Sequence, residues 1–145
     1  MSELRREPAD RGKFSVALEE LGREFQRRDE IPTAVVVTGD PARLPSAAKY
    51  AILAIVRQAL TNVRTHARAT SVTIRAEVAG ETCTTSITDN GAGFDLAAFR
   101  AQPPGPQHLG LISMEERAAL VGGQLEINTG LGRGTTVTVR VPLGR

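Results

Sequence analysis

A turn between two strand-like segments limits the folds that this chain can adopt. Apolar and polar side chains alternate strictly over residues 71–78, and a second strand-like segment covers residues 81–88. A period of two is typical of a half-buried strand. Ala79-Gly80, which lies between the two segments, allows a hairpin, so we expect two neighbouring antiparallel strands.

Helical periodicity indicates three further elements. Apolar residues recur at three- and four-residue steps over residues 14–25, 46–68 and 111–121, which predicts a helix in each range. In the last of these, Ser113 and Glu116 match a capping box, and Gly122-Gly123 supplies the stop. β-branched and alternating residues predict one strand over residues 33–38 and a closing hairpin over residues 125–141.

The order of these elements determines the expected fold class. Helix, strand, long helix, two strands, loop, helix and two strands do not follow regular βαβ alternation. We therefore expect an α+β, two-layer α/β sandwich, with helices on one face of a mixed, mostly antiparallel sheet. Residues 1–13 alternate acidic and basic side chains and are predicted to be a flexible lead-in, which leaves residues 14–145 as a single domain. The stretch after Gly93, up to about Leu111, has four residues of Pro and Gly at 103–106 and is predicted to be a long surface loop.

Composition excludes several classes of function. The 145 residues carry 18 Lys+Arg against 16 Asp+Glu, and only 3% are aromatic, so we expect no nucleic-acid partner. The apolar run at residues 51–56 is far shorter than the roughly 20 residues that cross a bilayer, and the N-terminus has no signal-peptide pattern. We expect no direct membrane contact. The single cysteine, Cys83, fits a reducing, cytoplasmic setting.

Four local features could carry chemistry, and each has a structural alternative. Asp89-x-Gly91-x-Gly93 is either a tight turn or a carboxylate beside a loop that a ligand can approach. Gly110, just before the helix predicted from residue 111, is either a cap or part of a phosphate-binding helix start. Residues 132–135 (Gly-Arg-Gly-Thr) fit an ordinary hairpin turn. Asn62 is either a satisfied polar residue or a ligand to a hard cation.

Taken together and in order, these features resemble the nucleotide-binding motifs of the GHKL ATPase superfamily. That superfamily covers gyrase-type topoisomerases, ninety-kilodalton heat-shock chaperones, MutL-type repair proteins and sensor histidine kinases. Residues 59–69 resemble its N box, 89–94 its G1 box, 108–111 its G2 box and 132–135 its closing Gly-x-Gly-Thr. Residues 110–123 are similar to the catalytic domains of bacterial histidine kinases that signal to NarL-type response regulators. The resemblance covers about residues 14–143 and implies a Bergerat-type sandwich.

The resemblance also implies what the site does. It implies that the domain binds ATP with Mg²⁺ and transfers the γ-phosphoryl group to a histidine. Asp89 would accept a hydrogen bond from the adenine amine, Thr135 would support that edge, and Asn62 would reach Mg²⁺. Gly91 and Gly93 would let the backbone approach the nucleotide. Residues 95–110 would form a mobile ATP lid that closes on the phosphates through the G2 box, which consists of His108, Leu109, Gly110 and Leu111.

The N box supplies the candidates for catalysis: Asn62, Gln58 and His66. Two positions depart from the family pattern. Gln58 stands where these kinases usually have Glu, and Thr65 stands where a basic residue is common. Because an amide cannot serve as a general base, we expect nucleotide binding with very slow hydrolysis by water. Transfer to an imidazole, which is already a good nucleophile, need not be lost.

The phosphate acceptor is expected to lie elsewhere. Only two histidines occur, His66 and His108, and neither has the acidic neighbour of a phosphoacceptor helix. We therefore expect a cytoplasmic catalytic domain that cannot autophosphorylate alone. It would need the histidine-bearing dimerisation domain of its parent sensor, with a NarL-type response regulator as an indirect partner. The sequence leaves open whether that sensor is anchored in a bilayer. The alternatives are a serine kinase of the anti-sigma-factor type and a degenerate, non-catalytic nucleotide-binding module.

Overall fold

The computed structural model describes residues 2–103 and 105–143, apart from the side chains of residues 2–13, 66, 67 and 107. Three longer helices, one short helix and five strands make up this part of the chain. They are α1 (Ser2–Asp29), β1 (Thr33–Thr38), α2 (Ser46–Asn62), β2 (Val72–Ala79), β3 (Thr82–Asp89), α3 (Leu96–Ala101), α4 (Pro106–Leu120), β4 (Gln124–Thr129) and β5 (Thr135–Pro142). A 3₁₀ turn at Pro41–Arg43 precedes α2, and a π-helical turn at Val63–Ala67 follows it.

The strands form one mixed sheet in the order β1-β2-β3-β5-β4. β1 pairs with β2 in parallel, and the other three pairs are antiparallel. This confirms the predicted α+β sandwich with a mostly antiparallel sheet. The β2–β3 turn falls one residue later than predicted, at Gly80-Glu81, because Ala79 still pairs with Thr82 and Gly80 takes a φ of +61°.

The core lies between the sheet and helices α1, α2 and α4. Alternate residues of β2 and β3 enter it, whereas their neighbours form a polar face on the other side of the sheet. Two residues on α2, Ile52 and Ile55, are completely buried, as are Phe14 and Leu18 on α1. Cys83 is also buried, within contact distance of Thr85, and it packs as a small strand residue. None of the helices within residues 2–103 and 105–143 is long and apolar enough to cross a membrane.

Two helix boundaries differ from the periodic pattern. α1 begins at Ser2 rather than at Phe14, because helix formation does not require an apolar stripe along the whole length of a helix that is anchored at its other end. The division of the chain at residue 13 into a lead-in and a domain stays a prediction. α2 gives way at Val63 to a wider π-helical turn, which ends at Arg68 with a left-handed φ of +54°. Such turns are frequent at functional sites.

The loop predicted between Gly93 and about Leu111 contains α3 and the start of α4, so this prediction was wrong in part. Asp95 caps α3 by accepting a hydrogen bond from the Ala98 N–H at 3.1 Å. α4 starts at Pro106, not at residue 111, because proline is well suited to the first position of a helix. The same shift places Ser113 and Glu116 inside α4, so they do not form a capping box.

Candidate functional site

A cavity of about 190 Å³ opens where α2 and α4 pass over the end of the sheet. Most of its wall is apolar, which suits a flat, weakly polar ring more than a cluster of ions. Three polar side chains from distant parts of the chain, Asn62, Asp89 and Thr135, line it. The full lining consists of Ala59, Asn62, Val63, Ile87, Asp89, Gly93, Phe94, Phe99, Leu111, Met114, Ile127, Thr135 and Val137.

Asp89 is the acidic residue of this cavity and is almost fully buried, with 6% of its surface exposed. It ends β3 directly opposite Thr135 of β5, so the sheet itself fixes its position. Burial raises the pKa of the carboxyl group, and the N–H groups of Gly91 and Thr135 partly offset that rise. The Gly91 N–H donates to Oδ1 at 2.7 Å. Asp89 keeps acceptor capacity for a donor inside the cavity, since a carboxylate can accept several hydrogen bonds.

The loop after Asp89 lies against the β4–β5 hairpin with no room for side chains. A Cβ at Gly93 would overlap the Gly130 carbonyl oxygen, and a Cβ at Gly134 would overlap the Asp89 carbonyl oxygen. Both glycines also have positive φ. The Gly132 N–H donates to the Ala92 carbonyl at 2.5 Å and joins the two loops. The glycine pattern therefore sets one wall of the cavity through backbone contact.

Thr129, at the end of β4, organises both loops, and sequence reasoning missed it. Its hydroxyl oxygen accepts from the Phe94 N–H at 3.1 Å, and its proton goes to the Gly134 carbonyl at 3.0 Å. The Thr135 hydroxyl, 2.9 Å away, must therefore donate to Thr129. It can then only accept from a ligand. The one available signal was the pairing of Thr129 with Thr135 across the hairpin, which requires the strand register.

Asn90 joins the chain after α2 to the end of β3. Its Oδ1 accepts from the N–H groups of Thr70 and Ser71 at 2.8 and 3.0 Å, and its Nδ2 donates to the Thr70 hydroxyl at 2.8 Å. These bonds fix the turn beside Asp89 relative to the helix that carries Asn62. Asn90 is thus a second positioning residue that sequence reasoning did not single out.

Asn62 and Gln58 form a polar pair one turn apart on α2. The Gln58 Nε2 donates to the Asn62 Oδ1 at 3.3 Å. Gly110, which is buried in α4, packs on this pair, and a Cβ there would lie only 2.6 Å from the Gln58 Nε2. Within the described residues, no group of three or more His, Cys, Asp or Glu side chains is placed to hold a metal ion. A single amide oxygen fits Mg²⁺ that takes most of its ligands from phosphates and water.

Two of the residues that line the cavity, Phe94 and Phe99, are aromatic, and the imidazole of His108 packs against Phe99. The Phe99 ring lies 5.4 Å from that of Phe94 and 4.7 Å from that of His108, measured between ring centroids. The His108 Nε2 is also 2.5 Å from the Phe99 carbonyl oxygen, which joins α4 to α3. This segment corresponds to the predicted lid, and its mobility stays a prediction.

Comparison with known proteins decides which family this site belongs to. Residues 49–145 match the model of the histidine kinase-, DNA gyrase B- and HSP90-like ATPase family. The chain belongs to this ATPase family. It is an ATP-binding catalytic domain of the sensor histidine kinase type, since its relatives in the family are sensor histidine kinases.

Two curated relatives and one solved structure show the range of similarity. The chain is 35% identical over 115 residues to an uncharacterised sensor-like histidine kinase of Chloroflexus aurantiacus, covering 77% of this chain and 19% of that protein. It is 31% identical over 137 residues to the histidine-protein kinase/phosphatase DegS of Brevibacillus brevis, covering 88% and 34%. The chain thus spans about a fifth to a third of their lengths. A histidine kinase domain of the Erythrobacter litoralis EL346 blue-light activated kinase is similar with a TM-score of 0.65 and 26% identity, over 85% of this chain and 59% of that one.

Most of the residues predicted from the ATPase-family motifs lie around one cavity, but some do not. Asn62, Asp89, Gly93, Leu111 and Thr135 line one cavity, and the Gly91 N–H contacts Asp89. His108 and Leu109 are not among the residues that line this cavity, and Leu109 is 62% exposed. The side chain of His66 lies outside those that the structure describes.

The position of Gly110 differs from the one predicted from the sequence. It lies within α4, whose first backbone hydrogen bond already runs from the Leu109 N–H to the Gly105 carbonyl at 3.0 Å. Its N–H is therefore not one of the free groups at a helix start, as the sequence suggested. Gly110 packs against the Gln58 amide, which has room there because glycine has no side chain. Its part in nucleotide binding through the G2 box stays a prediction.

Proposed function

We propose that this domain binds Mg²⁺-ATP in the cavity and supplies the γ-phosphoryl group to a histidine on a separate dimerisation domain. The observation that carries the proposal is the placement of one buried carboxylate, Asp89, and one helical amide, Asn62, on the wall of a single apolar cavity. A purine triphosphate has a donor at its ring edge and a charged tail, and it needs such groups at opposite ends of its site.

The chemistry of the Asp89 end supports an adenine nucleotide over a guanine nucleotide. The Asp89 carboxylate accepts a hydrogen bond from the exocyclic amine of adenine, whereas guanine would present a carbonyl oxygen at that point. Thr135 favours the same choice, because its proton is already donated to Thr129 and its hydroxyl accepts from the ligand or from a bridging water.

The phosphate end depends on α2. Bound Mg²⁺ would neutralise the triphosphate charge and hold the γ-phosphate in line for transfer. Asn62 contributes its Oδ1, which Gln58 orients through the amide hydrogen bond. In the transfer, the bond between the γ-phosphorus and the bridging oxygen breaks and a phosphorus–nitrogen bond forms on the acceptor imidazole. ADP leaves, and the imidazole loses its proton.

The histidine that accepts the phosphoryl group lies on another domain, and a response regulator acts after it. We place the domain in the cytoplasm, beside the histidine-bearing helix of a parent sensor, with a NarL-type response regulator downstream. Leu109 and Ile112 expose apolar surface on α4 next to the lid, where such a helix would need contact area. His66 and His108 are not expected to accept phosphate, so the isolated domain is autophosphorylation-incompetent.

Calorimetry tests nucleotide binding directly. ATP and ADP are titrated with and without Mg²⁺ into the native chain, Asp89→Asn and Asn62→Ala. We expect Asp89→Asn to weaken both nucleotides in both conditions, and Asn62→Ala to weaken them only when Mg²⁺ is present. Equal affinity of the native chain and Asp89→Asn would reject the adenine contact.

Phosphotransfer needs a second experiment. Radiolabelled ATP is added to the domain alone and to the domain mixed with a dimerisation domain from a related kinase, followed by a denaturing gel. Label is expected only on the added domain. Label on the isolated chain would overturn the claim of incompetence. Tight ATP binding without any phosphotransfer would favour the second candidate, a non-catalytic nucleotide-binding module. Gln58 supports this candidate because its amide cannot take up a proton.

A further inference from the structure

A second cavity, of about 260 Å³, lies between α1 and α2. Its floor is apolar and consists of Leu21, Phe25 and Leu60. Phe25 and Leu60 are almost fully buried. Its rim is basic and carries Arg28, Arg57 and Arg64. We call this cavity the arginine groove.

The arginine groove is separate from the nucleotide cavity. The two cavities share no lining residue. Within α2, the nucleotide cavity uses Ala59 and Asn62, whereas the groove uses Arg57, Leu60 and Thr61. At about 100° per residue, these two sets lie on nearly opposite faces of the helix. An occupant of the groove would therefore not compete with nucleotide.

The charges on the rim are not balanced. Glu24 is the acidic residue of the groove, and its carboxylate lies 3.7 Å from the Arg28 guanidinium. Neither Arg57 nor Arg64 forms a salt bridge with a described residue. Three guanidinium groups thus face one carboxylate, and two of them are free to pair with carboxylates of a partner.

We propose that the arginine groove binds an acidic amphipathic helix of a partner protein. A groove between two helices accepts a third helix along its length. Arg57 lies in α2, and Arg64 lies seven residues later in the π-helical turn that continues the helix. Both line the groove, so the partner helix needs carboxylates about two turns apart to reach them. Leu21, Phe25 and Leu60 require an apolar side chain between those carboxylates, which a free anion does not have.

A designed peptide tests this proposal with the full chain. The peptide is a helix with Glu at positions i and i+7 and Leu at i+3 and i+4, and fluorescence anisotropy measures its affinity. The double variant Arg57→Glu/Arg64→Glu is expected to bind about tenfold more weakly or worse. The matched control, Arg23→Glu/Arg27→Glu, changes two exposed arginines of α1 outside the groove and should bind within about twofold of the native chain.

Charge reversal and anion controls complete the test. A peptide with Lys at i and i+7 should bind the double variant in preference to the native chain. Circular dichroism and the midpoint of thermal unfolding, both expected to be unchanged, show that the variant is folded. Arg57→Gln/Arg64→Gln replaces it if they change. The proposal is overturned if the native chain does not bind the acidic peptide, if both double variants lose affinity equally, or if a Leu-free peptide or inorganic phosphate binds as tightly.

Discussion

At the scale of single residues, the site depends on polar groups held in apolar surroundings. Asp89 is the clearest case, because burial disfavours its charged form while two backbone N–H groups support it. A carboxylate in this environment reduces the stability of the fold and strengthens a hydrogen bond to a ligand. We therefore expect Asp89 to lower the free energy of unfolding and to raise the affinity for a ligand.

Asp89→Asn should separate these two effects. The amide oxygen can still accept from the Gly91 N–H, but the neutral group binds the adenine amine less strongly. We expect ATP affinity to fall about tenfold or more, since hydrogen bonds to charged groups contribute about 1.5–3 kcal/mol. The free energy of unfolding in urea at neutral pH should be equal to or above that of the native chain. A large loss of stability would contradict this account.

The raised pKa of Asp89 also gives a pH dependence with a defined sign. The folded protein holds this proton to higher pH than the unfolded chain does, so stability decreases as pH rises from the ordinary value of 3.8 through the folded pKa. ATP affinity should change in the opposite direction, because the ionised form is the acceptor. Urea unfolding and calorimetry across this pH window, with Asp89→Asn as the reference, check both slopes.

Gln58 is expected to limit ATP hydrolysis. Its amide donates to Asn62 and cannot take a proton from water, whereas a carboxylate could. Gln58→Glu should therefore hydrolyse Mg²⁺-ATP faster than the native chain in a phosphate-release assay. Gln102→Glu, at an exposed position in the lid segment, is the matched charge control. A native chain that hydrolyses ATP faster than Gln58→Glu would reject the prediction.

At the scale of elements, the loop after β3 and the β4–β5 hairpin act as one unit. Backbone contacts at Gly93 and Gly134, together with the hydroxyl of Thr129, join the two segments. The Asp89 end of the cavity thus depends on two turns that are distant along the chain but in direct backbone contact at Gly93 and Gly134.

Two glycines in that hairpin provide a controlled comparison. Gly132 and Gly134 have φ values of +76° and +74°, but a Cβ at Gly132 would meet nothing, whereas one at Gly134 would overlap Asp89. Both alanine variants should lose about 1–2 kcal/mol of unfolding free energy from the left-handed backbone. Gly134→Ala should lose a further 1–3 kcal/mol, roughly, from the overlap, and it should also lose ATP affinity. Equal losses in urea unfolding would show that the contact is unimportant.

The lid segment depends on the contact between α3 and α4. His108 holds the last turn of α3 through the Phe99 carbonyl and stacks on its ring. We expect His108→Ala to speed amide hydrogen exchange in residues 96–101 several-fold, because α3 is too short to be stable alone. Leu109→Ala, at an exposed position next to it, is the control and should leave that exchange unchanged.

At the scale of the whole molecule, the nucleotide cavity lies between the helical layer and the end of the sheet. A ligand there contacts α2, α4, β3 and β5 at once, so it should stabilise both layers together. At a hundredfold excess over the Kd, Mg²⁺-ATP is expected to add about 2.7 kcal/mol to the unfolding free energy. Thermal unfolding measures this shift. Asp89→Asn at the same ATP concentration should show a smaller one, and an equal shift would place ATP elsewhere.

The amino-acid sequence was sufficient for the fold class and for the motifs. The hairpin at residues 72–89, the strand at residues 33–38 and the long helix from residue 46 follow from periodicities that arise within each element. The start of α4 could not be predicted in this way. Pro106 suits the first position of a helix, but the Pro and Gly residues around it indicated a loop. In the same way, α1 continues to Ser2 although its first residues have no apolar stripe.

Only the tertiary structure decided how the candidate site is held together. The sequence alone indicated Asp89 and Asn62 through their motifs, but not the roles of Thr129, Asn90 and Gly110. Those roles arise from strand register and from the approach of α4 to α2, which join residues far apart in the chain. Periodicity reports which face of an element is apolar; it carries no information about which distant residue that face will meet.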